Sequence, residues 1–284
     1  MIRACLVIIV VISLFSAPSR AQTPTCDELD TEQKQLAQKI LSSQYAYACC
    51  DRTLAECLEQ DPVCSLVYRL AENICWRVGE GQDEKKITRA LSRRARSMMA
   101  GGKKAEIDLE GLPLVGDPKA PVEIVCYACA RCPYCSKVVP RLHHEVTEGT
   151  LVSKAKMYFK TFPIRNHPYS KESGLAFMAA QEMGKFWDFL LHAYARFDAF
   201  CVKKQPGWAE EIGLDVATFE KLMAEPSTRE KLITYKKEGI VNKVEATPTF
   251  FINGRKFHGS PTIHEMIDVI AEEYERVKGI EYRK

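Results

Sequence analysis

Strong charge of one sign is missing from this 284-residue chain, in which 40 Lys and Arg stand against 37 Asp and Glu, a formal net charge of +3. That balance excludes a general nucleic-acid binder, which carries a strongly basic face. Glycine and proline are scarce at 15 and 14 residues, which excludes collagen-like and low-complexity chains. No Gly-rich phosphate loop, G-x-S-x-G elbow or C-x-x-C-H haem motif occurs, and no repeat of fixed period. After the first 21 residues no apolar run approaches spanning length. Cysteine is what the chain has in abundance, 12 residues, within a composition that is 46% hydrophobic and can bury a real core. Redox or metal chemistry is therefore the first question.

Residues 1–21 read as a secretory signal peptide: Met-Ile-Arg, the apolar run Ala4 to Phe15, and the small-residue site Ser19-Arg20-Ala21. Such a run rises only about 18 Å as a helix, against roughly 30 Å of bilayer hydrocarbon, which argues against an uncleaved anchor. Thr23-Pro24-Thr25 is a poor lipobox for Cys26. Cleavage removes Arg3, Cys5 and Arg20, leaving 38 basic against 37 acidic residues and 11 cysteines. The expectation is an exported, periplasmic protein, in a compartment where disulfides persist.

The remainder divides into two unlike parts. Residues 22–100 carry helical periodicity throughout, with Leu29, Leu36 and Ile40, then Leu66, Leu70 and Ile74, recurring at three, four and seven. This predicted all-α domain holds Cys26, Cys49, Cys50, Cys57, Cys64 and Cys75, expected to form structural disulfides. The spacing of Cys50, Cys57, Cys64 and Cys75 would align them on one helix that Pro62 breaks or kinks into a hairpin. Arg89, Arg93, Arg94 and Arg96 are expected on a solvated face. Residues 101–104, Gly-Gly-Lys-Lys, read as a linker.

From 105 to 284 the period changes. Strands are expected at 106–112, 121–127, 156–162, 249–253 and 255–257. A helix follows from Pro133, a helical insertion occupies about 165–244 with interruptions at Pro206-Gly207 and Pro226, and a last helix starts near Pro261. Strands alternating with helices make this an α/β sheet with an inserted helical domain.

Cys126, Cys129, Cys132 and Cys135 form three overlapping C-x-x-C steps. The last step follows a strand and opens a helix, where unsatisfied N–H groups and the positive end of the dipole favour a thiolate. Pro133 fits the first helical turn. Cys135, one turn on, is placed to attack a mixed disulfide on Cys132, as dithiol–disulfide exchange requires.

Gly116-Asp-Pro-Lys-Ala-Pro-Val-Glu-Ile-Val followed by Cys132-Pro-Tyr-Cys resembles the thioredoxin-like, DsbA-type thiol:disulfide oxidoreductases of the bacterial periplasm. Phe162-Pro163, Gly184-Lys185-Phe186-Trp187 and Thr247-Pro248-Thr249-Phe250-Phe251-Ile252-Asn253-Gly254 extend the likeness, which spans about 105–278. The resemblance implies a thioredoxin-like fold with an inserted helical domain, here preceded by the small Cys-rich all-α domain. It also implies Cys132 as the exposed nucleophile, Cys135 as its buried partner, and Pro248 as a cis-proline facing the pair with Thr247 beside the substrate. It implies cysteine-containing protein substrates, a membrane-bound redox recycling partner and no cofactor. The exported setting favours oxidation or isomerisation over reduction, although a reductase fed by a membrane partner carries the same motif, and the near-neutral charge speaks against nucleic acid.

Relatives of that family commonly carry acidic residues where this chain has Cys126 and Cys129. These two could be a second disulfide, an electron relay into Cys132–Cys135, or half of a four-thiolate metal site. The expectation is a second disulfide that tunes or relays to the first. A ferredoxin-type cluster is disfavoured because the last gap is x2 and no proline follows Cys135, and zinc sites usually draw their C-x-x-C pairs from separate knuckles. No metal is expected. A metal-binding module and a non-enzymatic assembly adaptor are the rival readings. His143 and His144 are expected at the surface, His167, His192, His258 and His264 show no ligand spacing, and Cys201 is left unpaired.

Overall fold

The computed structural model describes residues 24–99 and 103–281, so the signal peptide expected at 1–21 and the Gly101-Gly102 part of the linker lie outside the described residues. Helices α1 (Pro24–Asp27), α2 (Thr31–Leu41), α3 (Leu54–Cys57), α4 (Ser65–Gly79) and α5 (Glu84–Met98) come first. Local sequence starts several of them. Asp30 and Gln33 form a reciprocal capping box on α2, Thr53 and Glu56 form another on α3, and Asp83 caps α5. Ile40, Leu54, Val67, Ile74 and Ile87 share one buried cluster.

The cysteine spacing does not mark one helix. Cys50 lies in a loop, Cys57 ends α3 and Cys64 is the N-cap of α4, so the seven-residue interval is a coincidence of loop lengths. The bonds are Cys26–Cys75, Cys49–Cys64 and Cys50–Cys57, with Cα separations of 5.0, 6.3 and 6.3 Å.

The second part contains β1 (Leu114–Gly116), β2 (Val122–Ala128), α6 (Cys135–Thr147) and β3 (Ala155–Thr161). Then come α7 (Ser170–Glu182), α8 (Phe186–Ala195), α9 (Gln205–Glu211), α10 (Val216–Ala224) and α11 (Pro226–Val241), followed by β4 (Thr249–Ile252), β5 (Arg255–Lys256) and α12 (Ile263–Lys278). The sheet order is β1-β3-β2-β4-β5. β2 and β3 are parallel, joined across α6, and the other pairs are antiparallel. Along β2, Ile124, Cys126 and Ala128 enter the main core while Val125 and Tyr127 enter a cluster on the other face. This period of two is what a sheet covered on both faces requires.

The strand expected at 106–112 does not form. Its backbone is satisfied elsewhere: Ala105 N–H donates to Gly254, Asp108 N–H to the Glu238 carboxylate, and the Asn242 amide to the Glu106 carbonyl. Pro206 and Pro226 begin α9 and α11 rather than interrupting helices, because a first turn needs no N–H from them.

The solvated arginine face is also corrected. Arg89, Arg93 and Arg96 are exposed, but Arg94 is fully buried. It joins Glu272 at 2.7 Å and Asp268, both on α12. On α4, Arg69 holds Asp268 at 2.9 Å and Glu275 at 2.6 Å, and Arg77 pairs with Glu265. Packing of α12 against the first helices puts Arg94 inside an interface rather than on a surface. His143 is half-buried for a similar reason, its ring 5.0 Å from that of Trp187, while His144 is exposed.

Candidate active site

The four-cysteine run spans the end of β2, a tight loop and the start of α6. The loop closes by a Cys132 N–H bond to the Cys129 carbonyl at 3.1 Å, and the Cys132 carbonyl accepts the Ser136 N–H at 3.1 Å. Cys132 therefore sits at the head of the first helical hydrogen bonds, although the regular helix begins at Cys135. Pro140 lies inside that helix.

Cys132 is held well below the usual thiol range, at about 5. The first cause is the hydrogen bond from the Cys135 thiol, and the Cys135 and Tyr134 N–H groups and the Thr247 hydroxyl add to it against the opposing effect of burial. Protonated, the Cys132 thiol donates to the Thr247 carbonyl at 3.2 Å, across a Thr247–Pro248 peptide that is cis. Burial pushes Cys135 up, reinforced by the hydrogen bond it gives Cys132 and by the charge there. One sulfur is thus a ready thiolate and its neighbour a retained thiol.

The exposed nucleophile implied by the resemblance is not what is found. Cys132 is 1% exposed, because the Thr247–Pro248 loop lies against its sulfur, while Tyr134 two residues on is 73% exposed.

All four cysteines of the run are free thiols in this structure, so neither Cys132–Cys135 nor the expected Cys126–Cys129 disulfide is formed in it. Cys126 stands between Phe159 and Phe250 in the sheet register, and burial pushes its thiol up. The Cys129 sulfur instead faces the Arg131 N–H at 3.4 Å and His167 Nδ1 at 3.4 Å. Among the described residues no group of three or more Cys, His, Asp or Glu is arranged to hold a metal ion. Cys201 is free and exposed.

Several neighbours carried no sequence signal. Arg131 is stacked between Phe200 at 3.9 Å and Phe197 at 4.5 Å, and donates to the Phe197 carbonyl at 3.1 Å. Tyr194 donates to the Cys129 carbonyl at 3.1 Å. His167 follows β3 by a few residues in a proline-bracketed loop, and nothing periodic ties it to the cysteine run.

Residues 109–272 match the family described as Thioredoxin. Among solved structures, oxidised BdbD from Bacillus subtilis superposes with a TM-score of 0.53 at 17% identity, over 61% of this chain and 98% of that one. α-DsbA1 from Wolbachia pipientis superposes at 0.52 and 21%, over 60% and 94%. At those identities the likeness is one of fold: a thioredoxin-like sheet with inserted helices. A curated relative, the Na(+)/H(+) antiporter NhaA 3 of Salinispora tropica, is 29% identical over 184 residues, 62% of this chain and 28% of the antiporter. The chain thus spans only about a quarter of the length of the curated relatives it matches. No helix among the described residues is long and apolar enough to cross a membrane.

Proposed function

The chain belongs to the thioredoxin family through residues 109–272, and on that premise we propose that it is an exported thiol:disulfide oxidoreductase acting on cysteines of protein substrates. The observation that carries this reading is the placement of Cys132 at the head of α6, one turn from the buried Cys135 and 3.2 Å from the Thr247 carbonyl of a cis Thr247–Pro248 peptide, which holds the Cys132 thiol down and pushes the Cys135 thiol up. In the oxidised protein a substrate thiolate attacks Cys132, breaking the Cys132–Cys135 bond and forming a mixed disulfide. A second substrate thiolate then attacks the substrate sulfur and leaves Cys132 as thiolate. The incoming chain displaces the Cys132 contact with Thr247, so that Thr247 and Pro248 flank the substrate backbone.

Stabilising the leaving thiolate stabilises the reduced protein, which makes the disulfide an oxidant. This supports oxidation or isomerisation over reduction. The periplasm as location, a membrane-bound recycling partner, and the division into a helical part at 22–100 and a thioredoxin-like part at 105–284 belong to the same proposal. Equilibration with glutathione buffers, followed by transfer to a reduced two-cysteine peptide, tests it. The expected result is peptide oxidation by wild type and none by Cys132→Ser. Equal activity in wild type and Cys132→Ser sinks the reading.

A further inference from the structure

Disulfide exchange as proposed uses Cys132 and Cys135 and leaves Cys129 without a task. Cys129 is fully buried, yet its sulfur has directed polar partners rather than an apolar niche. His167 Nδ1 lies 3.4 Å away, and the Arg131 N–H donates to the same sulfur at 3.4 Å. The hydrogen bond from Cys132 N–H to the Cys129 carbonyl folds residues 129–132 into a turn. A C-x-x-C step folded as a turn can bring its Cα atoms within the roughly 7 Å that a disulfide needs. A thiol against an imidazole is the arrangement that makes a nucleophile of a sulfur whose burial resists ionisation. His167 is half-buried, so its ring can exchange protons with the exterior.

Building on the proposed exchange reaction, we infer that Cys129, with His167 as its base, is a second resolving thiol for mixed disulfides on Cys132. In the step, His167 Nδ1 takes the Cys129 proton and the resulting thiolate attacks the Cys132 sulfur. A Cys129–Cys132 bond forms, the bond from Cys132 to the partner sulfur breaks, and the partner leaves as a thiolate that takes up a proton. Two electrons pass from the Cys129 and Cys132 thiols to the disulfide that first reacted. Burial pushes the Cys129 thiol up, against the Arg131 and Ile164 N–H groups and the Lys236 charge, which is why a base is required. The nucleophile thereby has two resolvers, Cys135 on α6 and Cys129 in the loop.

The test uses the full chain in a Cys201→Ser background, which removes the exposed free thiol. In Cys135→Ser, oxidised glutathione reacts with Cys132 and releases one glutathione. Resolution by Cys129 releases a second, and peptide mapping then shows a Cys129–Cys132 disulfide. The second release is expected to vanish in Cys135→Ser/Cys129→Ser. In Cys135→Ser/His167→Gln it is expected to slow by about a hundredfold at neutral pH and to recover as pH rises. Arg131, Lys236, Tyr194 and Cys132, the titratable groups around Cys129, are unchanged in these variants, so a shifted pH profile reports His167. Cys135→Ala supplies the same readout should the serine variant misfold. A single glutathione released by Cys135→Ser, or a mapped Cys126–Cys132 bond, overturns the inference while leaving the exchange reading intact. Wild type that fails to react with glutathione at Cys132 overturns the exchange reading itself.

Discussion

At the residue scale the site works by asymmetry between two sulfurs one helical turn apart. Cys132 collects hydrogen bonds from the Cys135 thiol, two backbone N–H groups and the Thr247 hydroxyl, while Cys135 is pushed up by burial beside a forming charge. A thiol whose folded pKa lies below its unfolded value stabilises the reduced protein fully above that unfolded value. The contribution is lost as pH falls through the folded pKa. For Cys132 the window runs from the ordinary thiol value of 9.0 down to about 5. Within it, the reduced protein should gain up to about 1.4 kcal/mol per pH unit. Iodoacetamide labelling of reduced protein from pH 3 to 9 is expected to modify Cys132 with a midpoint near 5. A midpoint near the ordinary value, or preferential labelling of Cys135, refutes the assignment of roles.

At the element scale the first helices are short, and three covalent links tie them to one another and to their loops. Cys26–Cys75 ties α1 to α4 across 49 residues, whereas Cys50–Cys57 closes only 7. In the chain-entropy picture the longer closure constrains the unfolded chain more, by about 4 kcal/mol against roughly 2.4. Removing Cys26–Cys75 by paired alanine substitutions should therefore lower the unfolding free energy more than removing Cys50–Cys57. Urea denaturation measures both, and the reverse ranking would show that native-state packing around the sulfurs outweighs loop closure.

At the scale of the whole molecule, α12 serves both parts. Met266, Val269 and Ile270 belong to the core around the sheet, while Glu265, Asp268, Glu272 and Glu275 receive arginines from α4 and α5. Arg94 is wholly enclosed there, and Tyr47 reaches the same Glu272. Removing one member of a buried ionic network strands the others, at about 3–5 kcal/mol. Arg94→Met is expected to cost that much and to keep a single unfolding transition, followed by circular dichroism in urea. A loss below about 1 kcal/mol would mean that the carboxylates on α12 find water instead.

The cysteine that opens α6, the strands beside it and the starts of α6, α7 and α12 were legible in the sequence because their causes are local. A strand alternates within a few residues, a cap acts within one turn, and a cysteine opening a helix meets free N–H groups whatever the rest of the chain does. Irregular backbone misled at 106–112, since alternation there reflects packing against β2 without a strand partner. What only tertiary structure decided are meetings across long separations. The disulfide pairings, the 38 residues between Cys129 and His167, and the 178 between Arg94 and Glu272 depend on how finished elements pack. Within α5 the spacing of Ile87, Leu91, Arg94 and Met98 puts Arg94 on the buried stripe, a local signal that reading the four arginines as one run passed over, but which carboxylates it meets there depends on how α12 packs.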